Sequence, residues 1–424
     1  MTGTLDETDR DEAVRQHRFE RPAAPTTGPR RVLRDLSGSS IAGGVVGLVF
    51  SATGPIAVIL SAGAGGGLSS GQLASWVFGV FFLNGVLTAL ASWLYRQPLA
   101  FFWTIPGTVV VGASLDHLRW PEVLGAFVVT ALLILAIGLT GWVRPIMAAL
   151  PMPIVMAMVA GVFLSFGLDL VTATGADAGL AVPMIIAFVL LSAFPRAGKL
   201  LPPILGALIA GALAVAASGR FEPTGAGWLA QPLLQAPEFS WRAITELVVP
   251  LAITVLVVQN GQGAAVLKQA GHRPPINVAA VLCGLWSLPA AAVGAVSTCL
   301  TGPTNALLVA STERSRQYTA GVVCGIGAVV VGLFAPAFVR FMLATPPAFI
   351  AVLGGLAMLP ALRGAFITAF RADFALGALV AFLVTVSDVS PLNINSAFWG
   401  LLAGALVSLA LERADFAQRR TSTQ

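Results

Sequence analysis

The sequence predicts an all-α polytopic membrane protein of about fourteen transmembrane segments, arranged as two inverted seven-segment repeats. The first observation is composition: 57% of residues are hydrophobic, 10% are charged and the mean hydropathy is +0.87, against roughly 25% charged in soluble domains. The second is a succession of apolar runs from Gly38 to Leu411, each near the roughly 17–25 residues that cross a hydrocarbon core. The third is an interruption by proline and glycine that recurs at matching places in the two halves. Only helices and closed barrels satisfy their backbone in lipid, and runs this continuous mean helices.

With proline, glycine and charge as punctuation, the segments fall at 38–62, 72–94, 99–115, 121–142, 146–168, 180–194, 201–218, 243–268, 276–293, 296–312, 318–340, 347–362, 373–388 and 393–411. Residues 1–37 are polar, charged and proline-containing, without an apolar leader pattern, and read as a cytosolic tail; residues 412–424 read as a second one. If the N-terminus is inside, all but four of the 24 Lys and Arg lie on the inner face. The exceptions are Arg119, Arg220, Arg242 and Arg340. The bias predicts an even number of crossings and both ends in the cytoplasm. It also accounts for the net charge of +5 without nucleic acid.

The connection 219–242 divides the chain into repeats 38–218 and 243–411. Seven spans per half force the second half into the opposite orientation, a layout of secondary transporters. Segment three carries "WTIPGT" and segment ten "LTGPTNA". Proline removes a helix donor and glycine tolerates unusual dihedrals, so each segment is expected to break into an extended stretch and a half-helix starting near Gly107 and Thr304. Such backbone survives at membrane depth only inside protein or beside a wet cavity. Two half-helix N-termini aimed at one point would hold an anion without a lysine or arginine. The candidate residues are Thr104, Pro106, Gly107 and Thr108 in one break and Thr301, Gly302, Pro303, Thr304 and Asn305 in the other. Two proline kinks without a ligand are the alternative reading.

Segment eight adds Gln259, Asn260 and Gln262, amides that suit a carboxylate and avoid the cost of a buried ion; their alternative role is helix-to-helix glue. Segment one adds Ser51 and Thr53 beside Gly54-Pro55, with hydroxyl bonding to the preceding turn as the alternative. No ionisable residue falls near the middle of these segments, so no proton carrier is evident. Glu246 and Asp388 at segment ends, and Asp116, His117 and Glu122 in a connection, read as solvated. Cys283, Cys299 and Cys324 lack metal-ligand spacing and read as packing residues. No cofactor, metal or enzyme site is expected, for want of a nucleophile-base pair, metal cluster or nucleotide loop. Phe102 and Trp103 flank the first break and offer faces on which an aromatic ligand would stack.

The stretches "FFWTIPGTVVVGASLDHLRWPEVLGAFVVTALLILAIGLTG", "VVQNGQGAAVLKQAGHRPPIN" and "INSAFWGLLAGAL" resemble the benzoate:proton symporter (BenE-type) family over nearly all of residues 38–411. The resemblance implies import of benzoate or a related aromatic carboxylate, driven by protons across a bacterial inner membrane. It also implies the seven-plus-seven fold of the uracil transporters, nucleobase-ascorbate transporters and sulfate permeases. In that fold segments 1–4 and 8–11 form the core, segments 5–7 and 12–14 form the gate, and the extended stretches pair beside the substrate. A homodimer through gate helices is implied in the same way. The nucleobase transporters of this fold carry glutamates in segments eight and ten, where this chain has Gln259 and "TGPTN"; their loss fits an anionic ligand. Another anion or a nucleobase on the same fold, and an uncoupled anion channel or facilitator, are the alternatives.

Overall fold

The computed structural model describes residues 19–22, 28–149, 151–194, 198, 201–221, 227–310, 313–371, 373–387, 389, 391 and 396–416. Asp388 lies outside them. A short helix α1 (Pro29–Asp35) precedes the long α2 (Gly38–Gly65), whose N-cap Ser37 and N3 residue Ser40 form a reciprocal capping box that closes two orphan donors. The second segment is α3 (Ser70–Phe78), a π turn at Gly79–Leu83 and α4 (Asn84–Tyr95). The third is the strand β1 (Phe101–Trp103) followed by the half-helix α5 (Ile105–Ser114). Then come α6 (Trp120–Thr140), the short α7 (Val143–Ala149), α8 (Met152–Ala176), α9 (Ala178–Ala193) and α10 (Pro203–Ala217).

The second half opens with α11 (Trp241–Ile253), a π turn at Thr254–Gln259 and α12 (Asn260–Gln269), followed by α13 (Ile276–Ala292), β2 (Thr298–Leu300) and α14 (Gly302–Val309). It ends with α15 (Gln317–Leu333), α16 (Ala335–Leu343), α17 (Pro347–Ala369), α18 (Ala375–Val386) and α19 (Ser396–Leu411). Every expected segment therefore holds a helix. Two boundaries are corrected. The run at 146–168 is split at Pro151 into α7 and the longer α8, and the run at 318–340 is two helices bent by 65° where Pro336 follows Phe334 and Ala335, as proline at a first turn demands. Among the described residues, six helices are long and apolar enough to cross a membrane, or seven with the bent pair as one span.

In one body of helices α6 packs on α13 and α11, and α15 on α2 and α4; in another α8 packs on α17 and α18, α18 on α19, and α9 on α10. Contacts of α17 with α2 and of α5 with α8 join the two. The inter-repeat strap lies across helix ends, with Gln235 N–H donating to Ala292 O at 2.9 Å and Glu238 N–H to Pro121 O at 2.8 Å. The N-terminal stretch is docked as well: Glu20 accepts from the N–H groups of Asn277 and Val278 at the start of α13, both at 3.2 Å, and faces Arg144 at 3.3 Å. A carboxylate there meets the positive end of the helix.

Candidate functional site

The site is built on a two-stranded antiparallel ribbon with register Phe101↔Leu300, Phe102↔Cys299 and Trp103↔Thr298, every member of it buried. Buried backbone polar groups must find partners, and here helices supply them from the sides. Thr88 Oγ1 accepts from Phe101 N–H at 2.8 Å, Asn260 Oδ1 from Leu300 N–H at 2.7 Å, and Ser287 Oγ from Thr298 N–H at 2.9 Å. Asn305 Oδ1 accepts from Ala100 N–H at 3.0 Å while its amide donates to Thr301 O at 2.6 Å. Asn260 and Asn305 thus serve the ribbon, and the π turn before α12 carries Asn260 to the strand edge.

Each strand hands over to a half-helix through a threonine N-cap. Thr104 Oγ1 accepts from Gly107 N–H at 3.1 Å, and Thr301 Oγ1 accepts from Thr304 N–H at 3.4 Å. The half-helices therefore begin two residues earlier than the sequence suggested, at Ile105 and Gly302, with Pro106 and Pro303 in their first turns. The donors expected at Gly107 and Thr304 are already capped. The first-turn N–H groups of Ile105 and Gly302 have no capping side chain among the described residues, as is usual for the first donors of a helix.

Ser51, Thr301 and Thr304 come together in a small cavity with Phe50, Pro55, Phe102, Trp103 and Ile105. Thr301 Oγ1 donates to Thr304 Oγ1 at 3.2 Å, Thr304 Oγ1 lies 3.1 Å from Ser51 Oγ, and Ser51 donates to Gly47 O at 3.0 Å. Hydroxyls rotate, so this chain can turn donors toward an anion. Pro55 has no N–H, which deprives the Ser51 carbonyl of its helical partner. No ionisable side chain lines the cavity among the described residues. Its volume is about 10 Å³, enough for roughly one water. Phe50 and Pro55 also line an adjoining apolar cavity of about 350 Å³ between α2, α9, α10, α14 and α17.

The remaining candidates are spread around this point. Gln262 packs on Gly302, where an added Cβ would come within 2.6 Å of its own Cβ, and its amide lies 3.9 Å from Met156 Sδ on α8. Gln259 is 4% exposed and its Oε1 has no partner among the described residues. Thr53 and Thr108 turn their hydroxyls onto Val49 O and Thr104 O in their own helices. Sequence reasoning missed Phe50, which no local signal distinguished from core. Trp103, buried against Phe81 at 5.2 Å, lines the cavity with an indole N–H that has no partner among the described residues. The solvated reading of Glu246 is corrected: it is fully buried and bonded to Ser114 and His117. No cluster of His, Cys, Asp and Glu that would hold a metal occurs among the described residues.

The family model described as "Benzoate membrane transport protein" matches residues 34–410. The chain belongs to the benzoate membrane transport protein family. Within that family's reach, it is 30% identical over 363 residues to inner membrane protein YdcO of Escherichia coli, covering 84% of this chain and 91% of that one. It is 28% identical over 392 residues to the benzoate membrane transport protein of Acinetobacter baylyi, covering 91% and 98%. Among solved structures, the transmembrane domain of the cyanobacterial bicarbonate transporter BicA aligns with a TM-score of 0.58 at 16% identity, over 88% of this chain and 96% of that one. The structure of SLC26A9 aligns with a TM-score of 0.65 at 12% identity, over 96% and 69%. These last two establish the fold. The benzoate-transport family membership makes the chain a multi-pass membrane transporter and not an enzyme.

Proposed function

We propose that the protein imports benzoate or a related aromatic carboxylate together with protons by alternating access. The observation that carries this reading is a neutral cavity, lined by Ser51, Thr301, Thr304 and the start of a half-helix, that opens beside an apolar one. A carboxylate is held by hydroxyl and first-turn N–H donors near Ile105 and Gly302. The ring lies toward Phe50 and the apolar cavity of about 350 Å³, within the roughly 300–1,000 Å³ range of small-molecule pockets. Trp103 supplies an aromatic face and an indole donor at the same point.

The inner cavity of about 10 Å³ is too small for a benzene ring. The helices must therefore separate for substrate to enter, and the body of segments 1–4 and 8–11 moves as a core against a gate of segments 5–7 and 12–14. Placement in a bacterial inner membrane with both ends cytoplasmic, and a homodimer through the gate, belong to the same proposal and follow the charge bias and the family resemblance.

The likeness of fold to a bicarbonate transporter favours a second reading, in which a smaller anion is the substrate. Uptake of labelled benzoate into proteoliposomes, with an inward proton gradient and with that gradient collapsed, separates these readings. Accumulation only with the gradient is expected. Equal equilibration in both makes the protein a facilitator, and no uptake rejects benzoate.

A further inference from the structure

The end of half-helix α5 remote from the cavity carries a buried acid that the substrate site does not use. Glu246 on α11 is 0% exposed. Ser114 Oγ, on the last residue of α5, donates to its Oε1 at 2.7 Å, and His117 Nε2 lies 3.1 Å from Oε1 and 3.0 Å from Oε2. An ionised carboxylate only accepts, so with Glu246 ionised the imidazole presents Nε2–H to it. The His117 side chain is 29% exposed, so it stands between the acid and solvent. The other charged groups at this end are Asp116 on the same turn, Glu122 at the start of α6, Arg119, Glu238 on the strap and Arg242 at the start of α11. Arg119 is committed to Glu238 at 2.6 Å and Glu122 at 3.4 Å. His117 is therefore the cation-forming group in contact with Glu246 among the described residues.

We infer that Glu246 and His117 form the proton-loading site that couples transport to the proton gradient. The inference rests on the proton-coupled reading above and assigns the carrier that reading lacks. In the unloaded state the pair is a carboxylate and a neutral imidazole, with net charge −1. One proton from the aqueous phase adds to His117 Nδ1 and gives an imidazolium paired with the carboxylate, with net charge zero; its departure from Nδ1 restores the unloaded pair. No other bond is made or broken. Ionisable groups within transmembrane segments are costly and mark proton relays, and a neutral loaded pair is the form least opposed by low dielectric.

The pair is tied to the substrate site by α5, whose first turn holds Ile105 and whose last residue is Ser114; at 1.5 Å per residue the two ends lie about 14 Å apart. An unloaded pair repels a second anion at the cavity, and loading removes the repulsion. At an effective dielectric near 20 and a separation of about 14 Å this amounts to roughly sevenfold in anion affinity. Proton and anion then favour each other reciprocally.

The test is benzoate affinity of the purified protein at about pH 5.5 and about pH 8, where benzoate itself stays ionised, in the wild type, Glu246→Gln and His117→Gln. Wild-type affinity is expected to rise roughly sevenfold on acidification, while both variants become insensitive to pH. A variant that keeps the wild-type pH dependence overturns the inference, since a purely structural role would leave that profile in place. Should Glu246→Gln fail to fold, His117→Gln decides alone, because its ring is partly exposed on a connection. If the wild type binds no benzoate, the substrate reading falls and a separate measurement judges the pair. The chain has three histidines, so histidine-labelled NMR resolves His117. A titration curve displaced by Glu246→Gln, or by Glu246→Ala if the former fails to fold, supports the pair, and coincident curves overturn it.

Discussion

Ser51 of the first segment and Thr304 of the second half-helix meet hydroxyl to hydroxyl at 3.1 Å, across 253 residues of sequence. The contact joins α2 to the break in segment ten and sets two donors on the wall of the neutral cavity. A hydrogen bond to a charged group is worth about 1.5–3 kcal/mol. Ser51→Ala and Thr304→Ala should each weaken benzoate binding about tenfold or more. Thr53→Ala, two residues along the same helix, removes a hydroxyl that bonds Val49 O in its own turn and should change affinity by less than about twofold. Isothermal titration of the three variants checks this ordering; equal losses in all three would remove the hydroxyl pair from the site.

The two asparagines behave differently because their partners are backbone. Asn260 accepts from Leu300 N–H and Asn305 from Ala100 N–H. Replacement by leucine leaves a donor unpaired where no water reaches, at a cost of about 1–3 kcal/mol each. Thermal unfolding in detergent should fall for Asn260→Leu and Asn305→Leu, with benzoate affinity of the folded fraction kept within about threefold. A large loss of affinity at unchanged thermal stability would return both residues to the binding site.

How much of this was legible follows from how local each cause is. The breaks at Pro106-Gly107 and Gly302-Pro303 act on their own turns, so the extended stretches and half-helices could be anticipated from the residues, whereas the pairing of those stretches came only from the family resemblance. The threonine caps lie two residues before each proline and shift both helix starts to Ile105 and Gly302. Amide roles were not legible. The sequence shows Asn260 in an apolar run, but the N–H that claims it lies 40 residues on, and that for Asn305 lies 205 residues away. Glu246 misled for the same reason: a carboxylate six residues into a helix looks solvent-facing until Ser114 and His117, from the other half of the chain, close over it. The expected segment at 347–362 stops short in turn, since α17 runs on through Pro360 to Ala369.

Gln259 tests the electrostatic part of the site. Its Oε1 is buried without a partner among the described residues, at the end of the π turn that delivers Asn260 to the ribbon. Gln259→Glu keeps the shape and adds a negative charge. A carboxylate there should oppose an anionic ligand and spare a neutral one. Benzoate affinity should fall at least tenfold, with benzamide affected by less than about threefold; parallel losses for both ligands would show that shape, not charge, governs the position.

Gly107 supplies the sharpest test of how the first half-helix is held. A Cβ at this position would overlap Thr104 Cγ2 and stand 2.8 Å from Leu251 Cδ2. Leu251 ends in a flexible side chain that can turn aside, but Thr104 is fixed by its role as N-cap. Gly107→Ala should therefore force the threonine out of its capping rotamer, at about 1–3 kcal/mol. Serine keeps the capping hydroxyl and lacks the offending methyl. The pair Thr104→Ser with Gly107→Ala should recover at least half of the lost thermal stability, whereas Thr104→Ser alone should cost little. Recovery of stability together with benzoate affinity would mean that Gly107 serves the site by protecting the cap. If stability returns without affinity, the added methyl blocks the ligand directly, and the open space at Gly107 belongs to the substrate.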